Sequence, residues 1–368
     1  MVAVASVVVA VGAATGMMSA LADGRGAEAA KPGVSPAPRL ERSAVAPTAV
    51  KSASPTPSSP RTVVPSPTRT EKKRETTTAP AGGLYRFPGS QVLDWVHAHP
   101  GDPRTSLIES RIADEPAAVW FSDPTTATIA SQVRAVTSPA AAQGRVPVLV
   151  AYAIPGRDCG GASQGGAPDL AAYDGWIDAF TAGLGSGEVV VILEPDSIAL
   201  SDCLSDAQRA ARFAALARAG RVLKSADPKA RVYYDAGHSG WHPAGEQAAL
   251  LKQAGAASAD SSDGIFSNVS NFQTTSDETA YDRAVLTDLG GPPGLGAVID
   301  TSRNGNGAPA DGQWCDPAGR GIGRTPTLGT GEARIDAYLW VKLPGESDGC
   351  KGAAGTFSPS YAYDLASS

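Results

Sequence analysis

The chain has 368 residues and a formal net charge of −6, with 41 Gly, 29 Pro and few aromatic residues. That length admits one large domain or two small ones. Positive charge is concentrated between residues 31 and 80, where nine Lys or Arg stand against three Glu, so the remainder is distinctly acidic and a nucleic-acid footprint on the folded part is excluded.

Residues 2–22 carry no charge and end in Ala20-Leu21-Ala22. An apolar core followed by small residues is the pattern of a secretory signal, here without the usual basic start. An uncleaved membrane anchor is the alternative, since about 20 apolar residues can span a bilayer, although Ala and Gly make a weak one. The segment 1–22 therefore reads as a signal peptide or N-terminal anchor. The expected location is secreted, or anchored at the outer face of the membrane. Residues 23–83 are dominated by Pro, Ser, Thr and Ala, as in "SASPTPSSPRTVVPSPTRT". Such a segment buries too little to order itself and reads as a disordered linker. The "EKKRE" run at 71–75 reads as a solvated charge cluster. Composition changes at Gly82-Gly83, and a single globular domain is expected over 84–368.

Within that domain, strands are expected at "AAVWFS" from 117, "VPVLVAYAI" from 146, "VVVIL" from 189 and "ARVYYDAG" from 230. Three more are expected at "GIFSNVS" from 264, "LGAVID" from 295 and "AYLWVKL" from 337. Continuous runs of β-branched residues are the mark of strands buried on both faces. Helical patterns cover about 169–184, 205–226, 243–255 and 276–289. The segment 205–226 opens with Ser205 and Gln208 spaced as a capping box. Strands alternating with helices imply a parallel sheet.

The functional signal lies in the residues just beyond each strand. The run from 146 leads to Asp158, that from 189 to Glu194 and Asp196, and that from 230 to Asp235. The run from 295 ends in Asp300, and the one from 337 leads through Lys342 to Glu346. Buried charge is costly unless it is used, and in α/β barrels the loops after strand C-termini converge on one site. Clustered carboxylates point to acid/base chemistry on a neutral substrate. No Gly-rich phosphate fingerprint accompanies them. His238 and His242 lack the glutamate of a zinc-protease helix, and Pro243 comes directly after, so neither metal nor cofactor is expected. Glycoside cleavage fits this composition best, because one acid protonates the leaving oxygen while other carboxylates tune it or activate water. Trp120, Trp241 and Trp314 lie in or beside these loops, where rings can stack on sugar faces. Trp176 and Trp95 read as core. Four cysteines in an exported chain suggest two disulfides, with three pairings open.

The blocks "YAIPGRDCGGASQGGAP", "VVVILEPDSIAL", "YYDAGHSGWH", "IDTSRNGNG", "QWCDPAGRGIG" and "WVKLPGESDGC" together resemble glycoside hydrolase family 6, the inverting β-1,4-glucanases. Its actinobacterial secreted endoglucanases are the nearest likeness. The resemblance runs in order from about Leu84 to the C-terminus. It implies a distorted, incomplete TIM-like parallel α/β barrel of about seven strands, with the active site at the strand C-terminal ends. Asp196 falls on the general acid, and Glu194 on a structural partner. Asp158 falls on the companion carboxylate and Tyr152 on the tyrosine that crowds the distorted ring. Asp158 is expected to raise the pKa of Asp196 more than burial does. Asp235, His238, Trp241, Asn271 and Trp314 fall on substrate-binding positions. Lys342 and Glu346 fall on residues holding glucosyl hydroxyls, and Trp120 on an aromatic platform. Asp300 falls on the base position, acting on water directly or through a second water, with an ion pair to Arg303 or another nearby cation as its alternative role. The resemblance pairs Cys159 with Cys203 and Cys315 with Cys350.

Covered members of the family carry long insertions after the acid strand and in the last loop. Here few residues separate Asp196 from Cys203, and "LPGESDGC" runs straight into Cys350. An open cleft and internal attack on β-1,4-glucan are expected from a monomer, with no nucleic-acid partner. No separate cellulose-binding module is legible, so soluble or amorphous glucan is the expected substrate. A cellobiohydrolase is the rival within the family, and a catalytically silent glucan-binding surface protein is the rival outside enzymes.

Overall fold

The computed structural model of the chain describes residues 82–310 and 312–368. The leader expected at 1–22 and nearly all of the expected linker lie outside the described residues. The domain opens with α1 (Gln91–Ala98) and the short α2 (Thr105–Ile108), which runs into a π-helical turn over Glu109–Ala113. Then β1 (Val119–Phe121), α3 (Thr126–Ala142), β2 (Val148–Ala151), α4 (Leu170–Thr181) and β3 (Val189–Leu193) alternate. The series continues through α5 (Asp206–Ala226), β4 (Ala230–Asp235), α6 (Ala244–Gln253), β5 (Gly264–Ser267), α7 (Thr275–Leu289) and β6 (Gly296–Asp300). After a long helix-free excursion come β7 (Ile335–Leu339) and α8 (Pro359–Ser367).

All seven expected strands form and pair in chain order into one parallel sheet. The period-2 geometry of a strand sends its side chains alternately to two cores. In β3, Val189, Val191 and Leu193 join the apolar layer packed under the helices, whereas Val190 and Ile192 join a second cluster inside the ring. β2 repeats the pattern, with Leu149 and Ala151 in the first cluster and Val148 and Val150 in the second.

The four expected helices are α4, α5, α6 and α7. The capping box on α5 forms as its sequence requires: Ser205 Oγ accepts the Gln208 N–H and Gln208 Oε1 accepts the Ser205 N–H. The helices α1, α2, α3 and α8 are additional.

Among the described residues no ladder joins β7 to β1. The Ala118 N–H to the Trp340 carbonyl (2.9 Å) and the Trp120 indole N–H to the Val341 carbonyl (2.7 Å) cross that gap. A third apolar cluster lies there, built from α1, the turn after α2, α8 and Trp340. Trp95 is half-buried against this cluster, unlike Trp176, which is wholly core. The result is an incomplete parallel α/β barrel whose strand C-termini all open to one face.

Candidate active site

A cleft of about 1060 Å³ lies across that face. Ten of the twelve expected catalytic and binding residues line it, and Asp235 and Asp300 do not.

The acid turn comes directly after β3. Glu194 is fully buried, and its carboxylate accepts the N–H groups of Ala153 and Ile154 (both 2.9 Å), which fastens the end of β3 to the end of β2. Burial pushes Glu194 up to about 7 against those hydrogen bonds. Glu194 and Asp196 both have left-handed backbone, φ 52° and 67°. Side chains with a Cβ adopt that region at a cost, and such residues concentrate at functional sites. Asp196 is raised to about 8, first by burial, then by the charge of Asp235, then by that of Asp158. The expected order, with Asp158 ahead of burial, is reversed. The position expected to hold the general acid thus carries a carboxyl that keeps its proton at neutral pH.

The loop after β2 brings Asp158, whose Oδ2 accepts the backbone N–H (2.7 Å) and hydroxyl (3.0 Å) of Ser163. The same hydroxyl meets the Tyr152 phenol at 3.0 Å, so Ser163 links the companion carboxylate to the tyrosine. Arg157 packs over the Tyr152 ring at 4.4 Å, and the Trp120 ring meets it edge-on at 5.1 Å. The disulfide Cys159–Cys203 ties this loop to the segment after the acid.

Asp235 ends β4, and the loop after it carries His238 and Trp241. Asp235 is 2% exposed and spends its carboxylate on the N–H groups of Ile198, Ala199 and Gly237. It supports the turn carrying Asp196 and does not line the cleft. Gly237 (φ 64°) permits this packing, since a Cβ there would stand 2.9 Å from that of Ala199. His238 and Trp241 do line the cleft, with ring centroids 5.4 Å apart. Burial and the nearby His242 lower His238 to about 4, so its imidazole is neutral there. Asn271, after β5, lines the cleft with its amide donating to the Val269 carbonyl at 3.0 Å.

Asp300, expected at the base position, ends β6 and does not line the cleft. Asp300 is 2% exposed, and its carboxylate accepts N–H groups from Ser302, Lys342, Ser270 and Val341. Burial raises it, those bonds oppose the shift, and neither oxygen is left for water. Arg303 does not form an ion pair with it. Instead Arg303 Nη1 donates to Asp348 Oδ2 at 2.7 Å, and Lys342 Nζ stands 3.0 Å from Asp348 Oδ1. Asp348 lines the cleft, on the loop after β7, four strands around the ring from β3. Asp348 is not among the acids expected from the sequence, although it stands after a strand end as Glu346 does. Glu346 also lines the cleft, accepts from Gln91 on α1 at 2.6 Å, and is raised by burial to about 7 despite Lys342.

Trp314, at 58% exposed, presents its ring at the cleft margin. The disulfide Cys315–Cys350 fastens its loop to the one after β7. Both expected pairings are therefore formed.

The comparisons with known proteins agree with this geometry. Residues 89–367 match the family model described as Glycosyl hydrolases family 6. The chain is 54% identical to Endoglucanase 1 of Streptomyces sp. (strain KSM-9) over 79% of its own length and 80% of that protein's. It is 47% identical to Endoglucanase A of Thermobispora bispora over 77% of its length and 61% of the relative's. Among solved structures, the endoglucanase Cel6 from Mycobacterium tuberculosis, in complex with methyl-cellobiosyl-4-deoxy-4-thio-β-D-cellobioside, is 40% identical. It superposes with a TM-score of 0.72 over 78% of this chain and 97% of that one. An open seven-stranded barrel, an acid cluster at its mouth and a family match that runs through both make this chain a member of glycosyl hydrolases family 6.

Proposed function

We propose that the protein is an endo-β-1,4-glucanase that hydrolyses internal bonds of cellulose and related β-glucans with inversion at the anomeric carbon. The observation that carries the reading is a pair of unlike carboxyls in one cleft. Asp196, after β3, is held protonated at neutral pH, and Asp348, after β7, faces two cations. In the proposed step Asp196 gives its proton to the glycosidic oxygen as the C1–O bond breaks. Water attacks C1 from the opposite face, and Asp348 takes up the proton that the water loses, directly or through a second water. Asp158 and the Tyr152 ring flank the sugar at the cleavage point, and negative charge there stabilises the cationic transition state. Trp120, Trp241 and Trp314 offer stacking surfaces, while Lys342, Glu346, Asn271 and His238 offer polar groups for hydroxyls.

Endo action is supported by short loops. Only the segment 197–202 lies between Asp196 and the cystine at Cys203, and residues 343–349 run directly to Cys350. Neither supplies a lid. Two closed disulfides suit an oxidising compartment. With the apolar stretch 2–22, they support export, as a secreted or surface-anchored enzyme.

The stereochemical test is direct. Proton NMR during the first turnovers of a cello-oligosaccharide should show the α-anomer of the new reducing end. Early β-anomer would contradict an inverting mechanism.

A further inference from the structure

Asp316 belongs to the helix-free excursion between β6 and β7, and its side chain is buried, with φ 44°. Its carboxylate is consumed by the loop that carries Asp348. Oδ1 accepts the Asp348 N–H at 2.7 Å. Oδ2 accepts the Ser347 hydroxyl at 2.6 Å and the N–H groups of Cys350 and Lys351 at 2.9 and 2.8 Å. In return the Asp316 N–H donates to Asp348 Oδ2 at 3.2 Å. Each aspartate thus binds the other's main chain, one bond in each direction.

The neighbouring disulfide cannot do the same work. Cys315–Cys350 fixes two Cα atoms 5.9 Å apart, which limits how far the loops separate but leaves the backbone at 347 and 348 free to rotate. Four donors on one buried carboxylate remove that freedom. They also hold the backbone from which the Asp348 side chain reaches Arg303 and Lys342.

We propose that Asp316 is a positioning residue for hydrolysis, holding the backbone of Asp348 so that its carboxylate is presented to the attacking water. The proposal rests on the reading of Asp348 as the base. Misplacing a catalytic group by about 1 Å can cost about 10²-fold in rate, so the effect is large enough to measure. An asparagine cannot replace Asp316. With one oxygen it serves either the Asp348 N–H or the three donors at Oδ2, and its amide then faces a donor at the other place.

The test is a double-mutant cycle on a soluble cello-oligosaccharide, measuring kcat and KM for wild type, Asp316→Asn, Asp348→Ala and the double variant. Asp316→Asn should lower kcat about 10²-fold and leave KM nearly unchanged. A loop loosened without regard to Asp348 would disturb Trp314 and raise KM instead. In the Asp348→Ala background, Asp316→Asn should add little further loss. If the two losses multiply, Asp316 acts elsewhere and the proposal is overturned while the base assignment stands. If Asp348→Ala keeps wild-type kcat, the base assignment falls and the proposal falls with it. Thermal melting accompanies each variant. Should Asp316→Asn not fold, Ser347→Ala removes one of the same bonds, and its smaller kcat loss should likewise vanish in the Asp348→Ala background. A Ser347→Ala loss that persists there overturns the proposal.

Discussion

The carboxylate of Asp235 grips the turn that presents Asp196, with Oδ2 accepting the N–H groups of Ile198 and Ala199 at 3.1 and 2.9 Å. One group therefore does two things. It fixes the acid in place, and it puts a negative charge beside it that weighs more than Asp158 in keeping it protonated.

Removing the acid should expose how much each substrate depends on it. Asp196→Ala should lose about 10²–10⁴-fold on unactivated glucan. Aryl glycosides with good leaving groups need little protonation and should be partly spared. Rates across a series of leaving groups check this, and an equal loss for all of them would remove Asp196 from the acid role.

The two candidates for the base separate by substitution. Asp348→Asn should lower kcat by about 10²–10⁴-fold, because the group that accepts the water's proton is gone. Asp300→Asn should chiefly lower the melting temperature, since its carboxylate serves buried backbone donors. Steady-state kinetics and thermal melting of both variants decide, and the reverse pattern would restore Asp300.

The cleft reading predicts a product pattern. Viscosity of carboxymethylcellulose should fall well before much reducing sugar accumulates, because internal cuts shorten chains early. Cellobiose accumulating with little viscosity loss would mark attack from chain ends.

Stability should also depend on pH in a definite direction. Glu194 and Glu346 at about 7 and Asp196 at about 8 all lie above their unfolded values. The folded state then holds more protons than the unfolded one between the unfolded carboxylate range and those values. The contribution of these groups is therefore full below the unfolded range and is lost as pH rises through their folded values. The melting temperature should be higher at about pH 5.5 than at about pH 8.5, and Glu194→Gln should narrow the difference. A difference that Glu194→Gln leaves untouched would show that Glu194 does not carry it.

Much of the fold is legible along the chain. The seven strands stand out because they are buried on both faces, which gives unbroken apolar runs in place of alternation. The helix α3 does not stand out, although Ile129, Val133, Val136 and Ala140 form its buried face. Its remaining positions are mostly Ala, Thr and Ser, with Pro139 inside, so the apolar contrast is weak and the proline reads as a breaker. At the site, the position of an acid after a strand is visible, but its destination is not. Asp235 and Asp300 end strands as Asp158 and Asp196 come after them, yet backbone donors take up both of their carboxylates. Which acids face the cleft depends on loop hydrogen bonds between segments distant in sequence. The Asp316–Asp348 exchange is of that kind.

The proposed acid role of Asp196 depends on surroundings that keep it protonated. The direct measurement is kcat against pH for wild type, Asp235→Asn and Asp158→Asn, with circular dichroism to confirm folding. Wild type should lose activity as pH rises through about 8, the value at which Asp196 ionises. Removing a neighbouring negative charge lowers that value, so both variants should move the alkaline limb to lower pH, Asp235→Asn by more. An alkaline limb that stays in place, or moves upward, in both variants would contradict the account.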